Sequence, residues 1–213
     1  MARAHILVLP GGGYTLHAEH EGEPVATWIA GLGYDASVFR YPLGERHPAP
    51  LNAVRTEIAA RRSAGAGRVG VMGFSAGGHL AGHAALAPDS TPEQRPDFAV
   101  LGYPITSMEL ATYRTAQDIL VGTEHDPQTR WATTLDRLVT PAAPPMFLWH
   151  TSEDAYVQPE HSYRLAAALC AAGCPHALHV FQHGPHSLGL ADGAGEAEQW
   201  KQLAASWLAE HAG

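Results

Sequence analysis

Residues 69–78 of the chain read VGVMGFSAGG, and the fold follows from this stretch. The apolar run at 69–72 has the length of a buried strand, and a helix-like segment follows at 77–86. Between them the pattern G-x-S-x-G stands at 73–77, in the strand-to-helix context that the motif requires. A sharp turn there strains the serine backbone and lifts its hydroxyl above the sheet edge, while the two glycines leave room for neighbouring backbone. We therefore interpret Ser75 as a candidate nucleophile.

Apolar runs and amphipathic segments alternate along the rest of the chain. Strands are predicted at 6–9, 36–40, 69–72, 98–101, 146–149 and 178–181. Helices are predicted at 23–32, 51–62, 77–86, 159–172 and 196–210, with Gly33 in the position of a helix cap after the first. The strands lack polar alternation and are separated by helices. This pattern predicts an α/β fold with a mostly parallel, six-stranded sheet and helices on both faces.

The length of 213 residues suits one domain, which we predict to span 1–213. One stretch, at 107–140, holds only weak helical segments at 116–120 and 131–138. It is too long for a simple loop, so it is predicted to be a small, cap-like helical insertion.

The charge of the chain excludes several classes of partner. Thirteen basic and 21 acidic side chains give a net charge of −8, which disfavours binding to nucleic acid or to an anionic membrane surface. No apolar run approaches the ~18 residues of a membrane helix, and no signal peptide is recognisable at the start. We therefore expect a cytoplasmic protein.

Two cysteines, Cys170 and Cys174, provide no disulfide framework.

A serine hydroxyl needs a base, and the base needs an orienting acid. In hydrolases with this serine motif the acid and then the histidine follow along the chain. Glu153 and Asp154 follow the fifth predicted strand, and His183 and His186 follow the sixth. Because Asp154 lies deeper in its loop and an apolar segment follows His186, we favour these two, with Glu153 and His183 as alternatives.

The glycine cluster after the first strand, Pro10-Gly11-Gly12-Gly13-Tyr14, is a candidate anion-binding loop. It lacks the patterns of nucleotide-phosphate loops. Its position beside the serine turn predicts that its N–H groups, with that of Ala76, form an oxyanion hole.

Histidines at 79 and 83 have the i, i+4 spacing of metal ligands on a helix, but no third ligand is evident. We interpret both as packing or surface histidines, and no metal or other cofactor is expected.

The chain resembles the α/β-hydrolase esterases grouped with acetyl xylan esterases and small acetylesterases, from Ile6 to Trp207. The longest matching stretches are EGEPVATWIAGLGY at 21–34, VGVMGFSAGGHLAGH at 69–83, PPMFLWHTSEDAYV at 144–157 and HVFQHGPHSLGLA at 179–191. PGGGY at 10–14 also matches. In the resembled esterases glycine often follows the catalytic histidine, whereas this chain has Ser187.

The resemblance implies a strand order of 2-1-3-4-5-6 and a triad of Ser75, Asp154 and His186. It also implies an oxyanion loop at Gly12 and Gly13, and hydrolysis of short-acyl esters, with acetylated sugars among the candidate substrates.

Two features of the sequence favour a small acyl pocket. The insertion at 107–140 is short and rich in charged side chains, and Tyr14 is predicted to narrow the pocket while its hydroxyl stays in water. A serine peptidase of the same fold and a non-catalytic binding protein on this scaffold are the alternatives.

Overall fold

The computed structural model describes residues 3–213, which form a central sheet of six strands. The inner strands are rich in Val, Leu, Phe and Ala, side chains that suit a sheet covered on both faces. The strands are β1 Ala4–Leu9, β2 Asp35–Val38, β3 Arg68–Phe74, β4 Phe98–Gly102, β5 Met146–Thr151 and β6 His176–Phe181.

Every pairing in the sheet is parallel, and the order across it is β2-β1-β3-β4-β5-β6. The fold class and the strand order expected from the sequence are therefore confirmed. Parallel strands place all their carboxyl ends at one edge of the sheet. The loops after β1, β3, β5 and β6, which carry the candidate site residues, consequently meet at that edge.

Residues 3–213 also contain seven α-helices: α1 Glu23–Gly31, α2 Ala49–Ser63, α3 Ser75–Leu86, α4 Arg114–Val121, α5 Pro127–Ala132, α6 Glu160–Ala171 and α7 Trp200–His211. Helices α2, α3 and α6 pack in one core cluster, and α1 and α7 in the other. Gly33, with φ of +94°, follows α1 in the left-handed conformation that commonly ends a helix.

The two cores are supplied by alternate residues of the same strands. Leu7 and Val71 face the core with α2, α3 and α6, whereas Val8 and Met72 face the core with α1 and α7. All four are fully buried. Replacing a large side chain of either core by alanine would cost about 2–5 kcal/mol, so both layers stabilise the sheet edge that carries the site.

The segment between β4 and β5 differs in detail from the prediction. It contains α4 and α5, but α5 ends at Ala132, and only a short 3₁₀ turn at Leu135–Arg137 covers the rest of the helix expected at 131–138. Asp126 caps α5 by accepting a hydrogen bond from the Thr129 N–H at 2.7 Å, which sets its early start. That 1–213 forms one domain with a cap-like insertion at 107–140 stays a prediction.

None of the helices within 3–213 has both the length and the apolar character needed to cross a bilayer. The two cysteines, at and beyond the end of α6, are free thiols, with Cys170 exposed and Cys174 buried.

Candidate active site

Ser75 stands at the tip of the turn between β3 and α3. It is the first residue of α3 and adopts φ of +52°, the strained conformation predicted for it. A Cβ at Gly73 would collide with the carbonyl of Gly77, and one at Gly77 would collide with the carbonyl of Leu9. Glycine is therefore required at both positions, because backbone from the turn and from β1 passes directly over them.

The hydroxyl of Ser75 lies 2.8 Å from Nε2 of His186. The histidine arrives from the loop after β6, and its imidazole Nδ1 lies 2.6 Å from Oδ2 of Asp154. Asp154 itself comes from the loop after β5, one strand nearer to Ser75. The structure therefore joins the three residues proposed from sequence into one hydrogen-bonded chain, although they lie far apart along the polypeptide.

Asp154 is held rigidly by its own loop. Its Oδ1 accepts hydrogen bonds from the backbone N–H groups of Tyr156 and Val157 at 3.0 and 2.9 Å. Burial alone would raise the pKa of Asp154, but hydrogen bonds from His150 and His186 outweigh it and keep the pKa of this carboxyl below its usual value. The group is therefore a carboxylate at neutral pH, as an orienting acid must be.

His150 is a supporting residue that sequence reasoning did not single out. Its imidazole is fully buried, with Nε2 3.3 Å from Oδ2 of Asp154 and 2.8 Å from the carbonyl oxygen of Val157. Its other nitrogen, Nδ1, lies 2.8 Å from the Ser162 hydroxyl. In the sequence His150 is only a polar residue within an apolar strand, and that pattern does not predict a contact with Asp154. The contact is seen only in the structure.

The two alternative residues, Glu153 and His183, pair with each other instead. Nδ1 of His183 lies 2.9 Å from Oε1 of Glu153, and both side chains are more than half exposed. The structure brings neither of them into hydrogen bonding with Ser75.

The glycine loop after β1 lies beside Ser75. Gly12 and Gly13 adopt φ of +120° and +62°, and both line the cleft that also contains Ser75 and His186. Throughout residues 3–213, no hydrogen bond engages the N–H of either glycine. Ala76 is in the first turn of α3, where an N–H has no acceptor within the helix. The three N–H groups predicted to form the oxyanion hole therefore lie near the serine and have no hydrogen-bond acceptor among the described residues.

The prediction that Tyr14 lines the substrate pocket with its hydroxyl in water is wrong. Its side chain is fully buried, and its hydroxyl lies 2.7 Å from Nδ1 of His79. The ring packs edge-on against Tyr41 with centroids 5.8 Å apart. A buried tyrosine hydroxyl requires a polar partner, and the histidine on α3 provides one inside the core.

Other side chains shape the cleft, which has a volume of about 310 Å³. Leu16, Tyr113 and Tyr156 line it and are exposed, by 54%, 42% and 66% respectively. The ring of Tyr113 covers Gly13 so closely that a Cβ there would lie 2.7 Å from its Cε1. These residues lie outside regular elements, so no hydrophobic periodicity marked them in the sequence.

His79 and His83 are buried packing residues, one of the two interpretations drawn from the sequence. Nε2 of His79 lies 2.7 Å from the carbonyl oxygen of Thr133, so both of its ring nitrogens have partners. Burial lowers the pKa of His79 to about 4, which keeps the imidazole neutral. Over the residues that the structure describes, no group of three or more His, Cys, Asp or Glu side chains is arranged to hold a metal ion.

Comparisons with known proteins place this geometry in a family. An acetyl ester-xyloside bifunctional hydrolase from Caldicellulosiruptor lactoaceticus has a similar solved structure. It is 37% identical with a TM-score of 0.92, over 99% of this chain and 83% of that one. An acetylxylan esterase from Xylanibacter ruminicola is 28% identical over 95% of this chain. An endo-1,4-beta-xylanase B from Butyrivibrio fibrisolvens is 32% identical over 88% of it.

The chain spans 45% of the length of that acetylxylan esterase and 33% of that xylanase. These relatives confirm the resemblance to acetyl xylan esterases inferred from the motifs. Two of them have the names of ester hydrolases, which is the enzyme class predicted from the sequence. The model of the prolyl oligopeptidase family matches residues 37–213, which include Ser75, Asp154 and His186. With well over half of its length matched, the chain belongs to the prolyl oligopeptidase family, on an α/β-hydrolase fold.

Proposed function

We propose that this protein is a serine esterase that hydrolyses carboxylic esters with short acyl groups. The observation that carries the proposal is the unbroken hydrogen-bonded chain from Ser75 through His186 to Asp154, at the floor of a cleft lined by Gly12 and Gly13. A nucleophile, a base, an orienting acid and anion-binding N–H groups are the complete set of parts for acyl transfer.

In the first half of the reaction, Nε2 of His186 accepts the proton of Ser75 while Oγ attacks the carbonyl carbon of the ester. The carbonyl oxygen becomes an oxyanion, which the N–H groups of Gly12, Gly13 and Ala76 bind. The tetrahedral intermediate then expels the alcohol, which takes the proton from His186. Ser75 is left acylated.

In the second half, His186 takes a proton from water, and the resulting hydroxide attacks the acyl-enzyme. Collapse of the second intermediate releases the carboxylic acid and returns the proton to Ser75. Asp154 keeps the proton of the imidazole on Nδ1, so that Nε2 is the free acceptor, and it stabilises the imidazolium that forms. This chemistry requires no cofactor.

The cleft supports a preference for small acyl groups, although Tyr14 does not contribute to it. A volume of about 310 Å³ is at the low end of ligand pockets, and the Tyr113 ring over Gly13 limits space beside the oxyanion loop. The names of two relatives, an acetylxylan esterase and an acetyl ester-xyloside hydrolase, add acetylated sugars to the candidate substrates.

The acyl preference is tested with p-nitrophenyl esters from C2 to C12. A long-chain pocket would gain roughly 0.8 kcal/mol per buried methylene, so kcat/KM would climb with chain length. We expect a maximum between acetyl and butyryl and a steep fall beyond. Tyr113→Ala should move the maximum towards longer chains. An optimum at C8 or longer in the unaltered protein contradicts the small-acyl proposal.

A serine peptidase is the second candidate, because the matching family is described as prolyl oligopeptidases. The two activities separate when p-nitrophenyl acetate and a peptide p-nitroanilide are compared. Cleavage of the ester alone supports the esterase, and preferential cleavage of the anilide favours the peptidase. Cleavage of neither, without labelling of Ser75 by a fluorophosphonate, favours a binding protein.

A further inference from the structure

Glu21 is a buried carboxylate that the mechanism above does not use. Its side chain is fully enclosed beside the glycine loop, at the end of a short 3₁₀ turn. It accepts three hydrogen bonds from three separate segments: from the Gly11 N–H at 2.7 Å, the Tyr103 hydroxyl at 2.7 Å and the Ser187 hydroxyl at 2.9 Å. A carboxylate provides about four acceptor sites, so all three donors are accommodated at once.

Each of these segments carries part of the candidate machinery. Gly11 precedes the two glycines of the oxyanion loop, and Ser187 follows His186 directly. The ring of Tyr103 packs edge-on against the His186 imidazole with centroids 5.0 Å apart. Its hydroxyl also accepts a hydrogen bond from the Gly189 N–H at 2.8 Å. One carboxylate therefore connects the oxyanion loop with the segment that presents the base.

Two of the three donors belong to strained residues. Tyr103 and Ser187 have φ of +35° and +67°, a region that residues with a Cβ enter only when their surroundings hold them. Glycine adopts such angles without strain, whereas a serine needs contacts that hold it there. In this chain the hydrogen bond from the Ser187 hydroxyl to Glu21 helps to hold that conformation.

We propose that Glu21 is a positioning residue that fixes the oxyanion loop and the His186 loop relative to Ser75; the inference rests on the proposed esterase function. It touches neither the substrate nor the reacting atoms. Because productive geometry in acyl transfer tolerates little displacement, loss of this connection should slow the chemical step more than it weakens substrate binding.

The acceptor-only character of the carboxylate is the property to test. Burial, and then the neighbouring charge of Glu21, raise the pKa of the Tyr103 hydroxyl well above its usual value, so this group stays protonated and donates. In Glu21→Gln one oxygen becomes an N–H₂ donor, so at least one of the three donors must turn away or reverse its role. The side-chain shape is otherwise kept.

The experiment measures kcat and KM on p-nitrophenyl acetate for Glu21→Gln, Glu21→Ala and the matched control Asp97→Asn. Asp97 also accepts a backbone N–H, that of Val69 at 2.7 Å, but it lies at the opposite end of β3 from Ser75. We expect kcat to fall about 10-fold in Glu21→Gln and about 100-fold in Glu21→Ala, with KM changed less than about 3-fold. Asp97→Asn should lower Tm and leave kcat unchanged.

A double-mutant cycle and amide hydrogen exchange separate positioning from general destabilisation. Tyr103→Phe combined with Glu21→Gln should be about as slow as the slower single variant, because both break one network. In Glu21→Gln, exchange should accelerate at the amides of Gly11 and Gly189, which donate to Glu21 and to Tyr103, while the strands stay protected.

Unchanged kcat in a folded Glu21→Gln protein, or additive effects with Tyr103→Phe, overturns the positioning role. If the unaltered protein cleaves no ester, the proposed function fails. The exchange data still decide about Glu21, since unchanged exchange in both loops overturns its role and local acceleration supports it.

Discussion

The pair Asp154–His186 and the pair Glu153–His183 both join the loop after β5 to the loop after β6. Their separations are similar, at 2.6 and 2.9 Å between Nδ1 and the carboxylate oxygen. Their surroundings differ. The side chains of the inner pair are 0% and 14% exposed, whereas those of the outer pair are 58% and 63% exposed. Only the inner pair reaches Ser75.

The difference shows that a histidine–carboxylate contact alone does not make a catalytic pair. The inner carboxylate accepts two backbone N–H bonds and lies against His150, so its orientation is set before any substrate arrives. The outer pair is surrounded by water, which screens its charges and competes for its hydrogen bonds. The two pairs are distinguished by burial and by the hydrogen bond between the inner histidine and Ser75, because the outer carboxylate also accepts a backbone N–H, that of Gly184.

The largest expected effect comes from removing each histidine in turn. His186→Ala should lower kcat by about 10³-fold or more, and Ser75→Ala by a similar factor, because the nucleophile and its base act as a unit. His183→Ala should leave kcat within about 2-fold, since its imidazole reaches only Glu153. The measurement is p-nitrophenyl acetate turnover by variants whose circular dichroism matches that of the unaltered protein. Equal losses in the two histidine variants would break the comparison.

The next effect concerns the acids. In Asp154→Asn the amide can still accept the backbone N–H bonds, but its N–H₂ would face Nδ1 of His186 and favour the wrong tautomer. We expect kcat to fall by up to about 10⁴-fold, a smaller loss than removal of the nucleophile causes. Glu153→Gln is the matched change one residue away and should be nearly silent. A large loss in Glu153→Gln alone would assign the acid to the outer pair.

Substitutions of Asp154 and Glu153 should also differ in their effect on the free energy of unfolding. Asp154→Ala leaves the N–H groups of Tyr156 and Val157 and Nδ1 of His186 without their acceptor, which should cost about 3 kcal/mol of unfolding free energy. Urea unfolding at pH 7 measures it. The lowered pKa of Asp154 means that its contribution is present above the unfolded-state pKa of the carboxyl and is lost only as the pH falls towards the folded-state value. Glu153→Ala should leave the unfolding midpoint unchanged.

The smallest expected effect is a change in the pKa of His183 in the outer pair. A hydrogen bond donated to Glu153, and the negative charge of that carboxylate, raise the pKa of His183, and the same contact lowers the pKa of Glu153. The ion pair is therefore present between the folded-state pKa values of Glu153 and His183, and it is lost as the pH rises through the pKa of His183. An NMR titration of the imidazole should show a raised pKa that returns towards the ordinary value in Glu153→Gln. An identical titration in both proteins would mean that the pair does not persist in solution.

Much of this protein could be predicted from sequence because its deciding signals are local. A buried strand, a glycine-flanked serine and a helix occupy adjacent stretches, so residues 69–86 specify their own turn and put Ser75 at the sheet edge. Apolar runs separated by helices similarly imply a parallel sheet, whose carboxyl ends must carry the other site residues.

Which of two adjacent residues points into the protein interior is decided by the tertiary structure. Glu153 and Asp154 are adjacent in one loop, and only the way that loop folds back on β5 buries one carboxylate and exposes the other. Tyr14 sits in a glycine loop that looks solvent-facing, yet its left-handed backbone, with φ of +61°, accompanies a ring turned into the core towards His79.

Glu21 illustrates the same limit. Its three donors lie at positions 11, 103 and 187, so no window of sequence contains the network. A buried carboxylate depends on partners from distant segments, and these partners meet only when the loops at the sheet edge have closed. Local sequence determined the sheet and the serine turn, because backbone sterics and hydrophobic pattern act over a few residues. The burial of each polar group was decided by long-range packing.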